Sequence, residues 1–271
     1  MLDSQYQSLP TQSGGLEHEY GDRVHLLSKP YAMSVLERLC SPDTKQPTVN
    51  HLVATLYDHL LATVASTVLA KVHVDSPTRM SEFTPKGVYS GECIDRTQRV
   101  VVVDVARAGI IPSHRFYEGL HHIVEPDALR QDHVVASRLT DSAGRVTGVT
   151  LDGSKIGGTI NGATVIFPDP MGATGSSIAG VIEHYLAEVG DSPRALVAAH
   201  LIVTPEYLRR MTSDFPNLHI FAIRLDRGLS TPEVLRTRPG ENWDQEVGLT
   251  DNQYIVPGAG GVGEVLNNAW I

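Results

Sequence analysis

The stretch that most limits what this chain can fold into runs from Thr164 to Val189. It opens with the apolar, β-branched run Thr164-Val165-Ile166-Phe167, reaches Asp169 and continues through the small residues Gly172, Ala173, Thr174, Gly175, Ser176 and Ser177. A helical pattern follows over Ser177–Val189, with Ile178, Val181, Ile182, Tyr185 and Leu186 on one face. A strand feeding a small-residue loop and then a helix is the repeating unit of an α/β sheet. It is also an anion cradle. Backbone N–H groups and the positive end of the helix dipole converge on the loop, and residues without bulk let a phosphate approach the backbone. Asp169 stands where an acid can grip a pair of ribose hydroxyls. The stretch carries neither the Gly-Lys-Ser/Thr of a Walker loop nor a G-x-G-x-x-G fingerprint. The combination points to a ribose 5-phosphate rather than a nucleoside triphosphate.

The same alternation extends along the chain. Val100–Val105, Val134–Ser137, Thr164–Phe167, Ala195–Val203 and His219–Ile223 read as strands. Ile111–Leu120, Ser177–Val189 and Glu206–Asp214 read as the helices between them. The expected fold class is therefore α/β, a mostly parallel central sheet flanked by helices on both faces. In such sheets ligands sit at the carboxyl ends of strands, and Arg107, Arg138, Asp169 and Asp226 all fall just past predicted strand ends. Thr147–Thr150 and Thr159–Ile160 predict a hairpin turning at Asp152-Gly153. The glycine-rich segment Asp141–Gly158 is a candidate lid over the site. Upstream, Pro30–Leu39 predicts a short helix stopped by Ser41-Pro42-Asp43, and Thr48–Lys71 a long one. Arg79–Tyr89 reads as extended and irregular. Residues 1–22 are expected to be a flexible tail, and residues 23–271 a single domain without repeats or linkers.

Composition narrows the partners. A net charge of −9, from 22 basic and 31 acidic residues, argues against non-specific nucleic-acid binding. Two cysteines, Cys40 and Cys93, make neither a disulfide framework nor a zinc site, so a reducing, cytoplasmic location is expected. No apolar run reaches the length of a membrane span, and no secretory leader opens the chain. The 12 histidines show no metal-ligand spacing with cysteines or acids. No metal held by the protein alone is expected.

Beyond these readings lies a resemblance. Asp169-Pro170-Met171-x-Ala173-Thr174-Gly175-x-Ser177 is similar to the phosphoribosyl diphosphate (PRPP) loop of uracil phosphoribosyltransferases. Three more segments match in the same chain order: Arg107-Ala108-Gly109, Leu225-Asp226-Arg227-Gly228-Leu229, and Tyr254-Ile255-Val256-Pro257-Gly258-Ala259-Gly260. Residues 24–71 also look like that family's N-terminal helices. The resemblance implies a type I phosphoribosyltransferase fold, with N-terminal helices and a small hood or lid. It implies transfer of the phosphoribosyl group from PRPP to uracil, giving UMP and diphosphate in pyrimidine salvage. Asp169, with Pro170 after it, would hold the ribose. Met171 and Gly172 belong to the same loop, and the 5-phosphate would sit on Ala173, Thr174, Gly175, Ser176 and Ser177. Arg107 would face the diphosphate on a loop whose leading peptide is often cis, with Arg138 as a second diphosphate arginine. Catalysis would rest on Arg107 and Asp169. Backbone groups of Ile255, Gly260, Gly261 and Val262 would read uracil. Mg²⁺ would arrive mainly on PRPP oxygens, and the protein would be a homodimer. The chain also departs from the pattern. Gly261 stands where the family has an aspartate that touches PRPP, Glu264 replaces the next acid, and the Phe-Gly-Thr ending becomes Leu266-Asn267-Asn268. These departures leave two alternatives open: the same fold acting on a different nucleobase, and a catalytically degenerate sensor of PRPP or nucleotides.

Overall fold

The computed structural model describes residues 15–140 and 146–269, with the backbone alone at 137–140, 146–149 and 151. In chain order it runs β1 (Val24–Leu26), α1 (Pro30–Cys40), α2 (Thr48–Val68), β2 (Lys71–Pro77), β3 (Val88–Ile94), β4 (Val100–Ala106) and α3 (Ile110–Leu120). The hairpin β5 (Leu129–Thr140) and β6 (Val146–Lys155) follows, then β7 (Thr164–Pro168), β8 (Met171–Gly172) and α4 (Ser176–Val189). The last part holds β9 (Ala195–Val203), α5 (Pro205–Asp214), β10 (Leu218–Leu225), α6 (Pro232–Leu235) and α7 (Val262–Asn267).

An eight-stranded sheet takes the order β1-β10-β9-β7-β4-β5-β6, with β8 joined to β9. Every pairing from β1 to β5 is parallel, and only β5 with β6 is antiparallel. Burial on both faces explains the near-continuous apolar spelling of the central strands. Val100 and Val102 of β4 join Leu56, Tyr57 and Phe116 in a core under α1–α3. Val101, Val103 and Val105 point the other way, into a core with Val181, Ile182, Tyr185 and Leu208 under α4 and α5. The expected mostly parallel sheet with helices on both faces is what the chain forms.

Four local expectations are corrected. The two expected N-terminal helices form, as Pro30–Cys40 and Thr48–Val68, but Val24–Leu26 ahead of them is a strand parallel to β10, and α2 stops at Val68 rather than Lys71, where Leu69 turns extended. Lys71–Pro77 and Val88–Ile94 then form a separate antiparallel hairpin, whose connection includes a 3₁₀ turn over Arg79–Glu82 capped by the Thr78 hydroxyl. The hairpin near the site does not turn at Asp152-Gly153. Its strands are longer, the connection is 141–145, outside the described residues, and Thr159–Ile160 is not a strand. Gly153 pairs with Val135 and Leu151 with Ala136, so Asp152 is the extra residue of a β-bulge. The bulge explains a glycine beside an acid within a strand. Of the candidate lid, 146–155 is thus strand β6. Finally, residues 15–22 are held to the body. Leu16 N–H donates to Leu26 C=O, and Tyr20, 4% exposed, packs edge-on to Trp243 and bonds Glu246 through its hydroxyl.

Buried polar groups tie the hairpin to the sheet. Asp132, fully buried on β5, accepts from Arg130 Nε (3.0 Å), from the Gly157 amide (2.9 Å) and from Tyr185 Oη of α4 (2.6 Å). Arg130 also donates to the carbonyls of Gly158 and Thr159. A buried carboxylate is tolerated because its lone pairs are filled by a cation and two neutral donors.

Candidate active site

The connection from β4 leads through α3 to β5 on one side, whereas β7 lies on the other side of β4. The loops leaving β4 and β7 therefore part at a topological switch point, where open α/β sheets bind ligands. The first is Arg107-Ala108-Gly109, entered through a cis Ala106–Arg107 peptide. A Cβ on Gly109 would lie 2.7 Å from Val105 O and 3.2 Å from Pro168 O. Only glycine lets this loop abut the end of β7 so closely. Arg107 is exposed at the crevice.

The second loop begins at Asp169, which is half-buried. Its Oδ1 accepts the Met171 amide (3.1 Å), and its own N–H donates to Ala199 O (3.0 Å). His200, buried on β9, sits beneath it. A carbonyl can only accept, so His200 Nδ1–H donates to Asp169 O (2.6 Å), and Nε2 accepts from Tyr207 Oη (2.5 Å). Burial lowers His200 to about 4. Burial, followed by the nearby Asp169 charge, raises the phenols of Tyr57 and Tyr207. Neutral aromatic groups thus underlie the acid. Further along, Gly175 takes φ +78° and opens α4 without a side-chain cap, a conformation in which a Cβ is disfavoured. The Ser176 amide donates to Thr174 Oγ1 (3.2 Å), and the amides after it in the first turn of α4 are left for an anion in the loop. Thr204 donates to Ala173 O (2.6 Å) and caps α5 by accepting the Tyr207 amide (3.0 Å). The loop is thereby fastened to the start of α5.

The third wall is the turn before α7. Asp226, 1% exposed just after β10, accepts from Arg224 Nε (2.5 Å) and from the Gly258 amide (2.7 Å). Arg224 Nη2 donates to Gly258 O (3.1 Å). Gly228 N–H donates to Val256 O (3.0 Å). The Leu225–Leu229 segment is thus a bracket for the turn and does not itself present charge to the crevice. Arg227 is spent likewise, on Glu246 Oε1 (2.6 Å) and on carbonyls of 234–237. Among the residues expected to read a base, Ile255 is half-buried, Gly260 and Gly261 are exposed and Val262 is buried. Val262 N–H is taken by Gly260 O (3.0 Å). A Cβ on Gly263 would come within 3.7 Å of Ala108 Cβ, which places this turn against the Arg107 loop. A Cβ on Gly261 would lie 2.5 Å from Glu264 Oε2. The Glu264 carboxylate fills the space a side chain at 261 would take.

Arg138 is differently placed from expectation. It lies inside β5 rather than after a strand, because antiparallel pairing with β6 prolongs β5 to Thr140. Val135 is the last residue paired with β4, so β5 carries Arg138 past the carboxyl edge of that strand. Sequence reasoning missed the supports beneath the crevice: His200, Tyr207, Arg224 and the position of the Glu264 carboxylate. The motif spelling gives no sign of them. Only the i and i+2 spacing of Arg224 and Asp226 on one strand face hints at their pairing.

Comparisons with known proteins identify the family. The family model for uracil phosphoribosyltransferase matches residues 28–241, a span that includes the Arg107, Asp169 and Asp226 loops and stops before the turn at Ile255. A uracil phosphoribosyltransferase of Pyrococcus furiosus is 26% identical over 92% of this chain and 90% of its own length. One from Pyrobaculum islandicum is 31% identical over 69% of this chain and 75% of its own. Among solved structures, the AQ2163 protein of Aquifex aeolicus superposes with a TM-score of 0.64 at 22% identity, covering 90% of this chain and 97% of that one. The fold, the loop at Asp169 and these matches lead to one conclusion: the chain belongs to the uracil phosphoribosyltransferase family.

Proposed function

We propose that the protein transfers the 5-phosphoribosyl group of PRPP to uracil, giving UMP and diphosphate. The observation that carries this reading is the convergence, at one switch point, of an uncapped helix with its small-residue loop, an exposed arginine loop and a bracketed glycine turn. Each suits one part of the substrates. The Ala173–Ser177 loop takes the 5-phosphate, with the Ser176 and Ser177 hydroxyls assisting and Thr174, whose hydroxyl donates to Ser176 Oγ, orienting the first of them. Asp169 grips the ribose hydroxyls. Arg107, with Arg138 from the hairpin, takes the diphosphate. Backbone groups of Ile255, Gly260, Gly261 and Val262 read the base.

In the reaction the bond from ribose C1 to the diphosphate oxygen breaks, the bond from C1 to uracil N1 forms, and the N1 proton is lost. Charge builds on the departing diphosphate and positive character on C1. The chain contributes by alignment and by stabilising that separation, with Arg107 at the leaving group and carboxylates near the sugar. Glu264 is the acid we assign to the space above Gly261. Mg²⁺ fits as an ion carried by the substrate: the crevice offers the separate carboxylates of Asp169 and Glu264, and among the described residues no group of three His, Cys, Asp or Glu side chains could hold a metal. Its chemistry there would be to neutralise diphosphate charge.

We further infer a homodimer in the cytoplasm. Met80 and Phe83, at the tip of the β2–β3 hairpin, and Tyr31 of α1 are exposed, Phe83 by 77%. A two-stranded hairpin is marginal on its own, and a second copy covering this apolar tip would stabilise it. Two free cysteines suit a reducing compartment. No helix among the described residues is long and apolar enough to cross a membrane. Light scattering should give twice the chain mass, reverting to one chain mass in Phe83→Asp. The activity is tested by incubating the protein with PRPP, Mg²⁺ and a panel of pyrimidine and purine bases, and identifying the nucleotide by mass. UMP formed from uracil alone is the expected result. Product from another base, or none from any, would overturn the assignment.

A further inference from the structure

We propose that Arg210, on the second turn of α5, is a ligand of the 5-phosphate and strengthens the site's selection for phosphorylated ribose. The proposal rests on the PRPP reading of the Asp169 loop and adds to it a residue from outside that loop. The sequence gives no hint of it: Arg209-Arg210 on an amphipathic helix reads as a solvated face. The tertiary structure brings it to the cradle.

Two contacts lock α5 against the loop. Thr204 at the head of α5 donates to Ala173 O (2.6 Å). A Cβ on Gly175 would meet Met211 Sδ at 3.2 Å and Arg210 Cδ at 3.3 Å, so the arginine stem lies directly against the glycine that opens α4. From there Arg210 Nη1 donates to Ser176 Oγ at 2.8 Å. Ser176 Oγ also accepts from Thr174 Oγ1 at 3.1 Å. With both lone pairs of Ser176 Oγ engaged, its own O–H is left to donate, and the loop's anion position is the group that requires a donor. The guanidinium is oriented from behind by Asp214, whose Oδ2 is 3.3 Å from Nε. Its side chain is 44% exposed, and a guanidinium has five N–H donors, of which these contacts use two. The planar fork suits phosphate oxygens. The amides of α4 supply direction without net charge. Arg210 supplies a full positive charge beside them, in a chain whose net charge is −9.

Binding isotherms on the intact protein test this with three probes: ribose 5-phosphate, inorganic diphosphate and uracil. Arg210→Ala should weaken ribose 5-phosphate about tenfold, the low end for one half-exposed charge-assisted hydrogen bond. Diphosphate and uracil should bind as before. In turnover, KM for PRPP should rise with kcat nearly unchanged, because the 5-phosphate is held equally in ground and transition states. Arg210→Lys should recover part of the loss, and both variants should melt like the parent. Unchanged ribose 5-phosphate affinity in Arg210→Ala would overturn the inference and leave the enzyme assignment standing. So would equal weakening of all three probes, which marks a collapsed loop. A parent protein that binds neither ribose 5-phosphate nor PRPP would overturn both.

Discussion

Single residues decide how the candidate site is charged. A glycine at 261 removes a side chain from the turn, yet the structure returns a carboxylate to the same space: Glu264 Oε2 lies 2.5 Å from where a Cβ at 261 would be. Three positions of helical rise bring residue 264 back over 261. Glu264→Gln keeps the shape and removes the charge. It should lower kcat/KM for PRPP about tenfold, the worth of one charge-assisted hydrogen bond of about 1.5 kcal/mol, with the melting temperature unchanged. Steady-state kinetics beside a thermal melt checks both halves. The positions of Asp169 and Arg107, just past the ends of β7 and β4, were legible in the sequence. The role of Asp226 was not. Its place after β10 matched the expectation for a ligand-facing acid, whereas its carboxylate is consumed by Arg224 and the Gly258 amide. Position in sequence shows where a chain leaves the sheet but not which partner reaches the side chain first.

At the scale of elements, the parallel strands and their helices were readable because burial on both faces forces apolar, β-branched runs with little ambiguity. The hairpins were not. β2 is exposed along most of its length, and its alternation, Val72 and Val74 between Lys71, His73 and Asp75, is too short for a period-two signal to stand out beside the long helical pattern before it. The β5–β6 turn was misplaced because Asp152-Gly153 spells a turn and a bulge equally well. What secures β5–β6 at its base is the Asp132 cluster. Asp132→Ala would leave Arg130 partly buried without its carboxylate, and Tyr185 Oη and the Gly157 amide without an acceptor. Breaking a buried pair in this way costs about 3 kcal/mol or more. Chemical denaturation should show that loss, with the hairpin losing amide-exchange protection before the central sheet.

For the whole molecule, pH reports on the buried histidine under Asp169. Burial depresses His200 to about 4 from an ordinary 6.5. Between those values the unfolded chain binds the extra proton, so stability rises with pH. The contribution is complete above 6.5 and is lost as pH falls toward 4. At 1.36 kcal/mol per unit it amounts to about 3 kcal/mol. His25, lowered to about 4 by burial and by the neighbouring His219, acts in the same direction. Melting temperatures should therefore fall between pH 7.5 and 5, with a shallower slope in His200→Gln. A flat profile in the parent would contradict the buried, neutral state of His200. The sequence by itself determined the doubly covered parallel sheet and the small-residue cradle after Asp169, because backbone geometry and burial act on local spelling. It also carried the motif order that marks the family. Tertiary structure alone decided which charges reach the crevice. Asp226 and Arg227 are spent on the frame, Glu264 folds over Gly261, and Arg210 arrives from a neighbouring helix, because strand order and helix packing join residues that lie far apart along the chain.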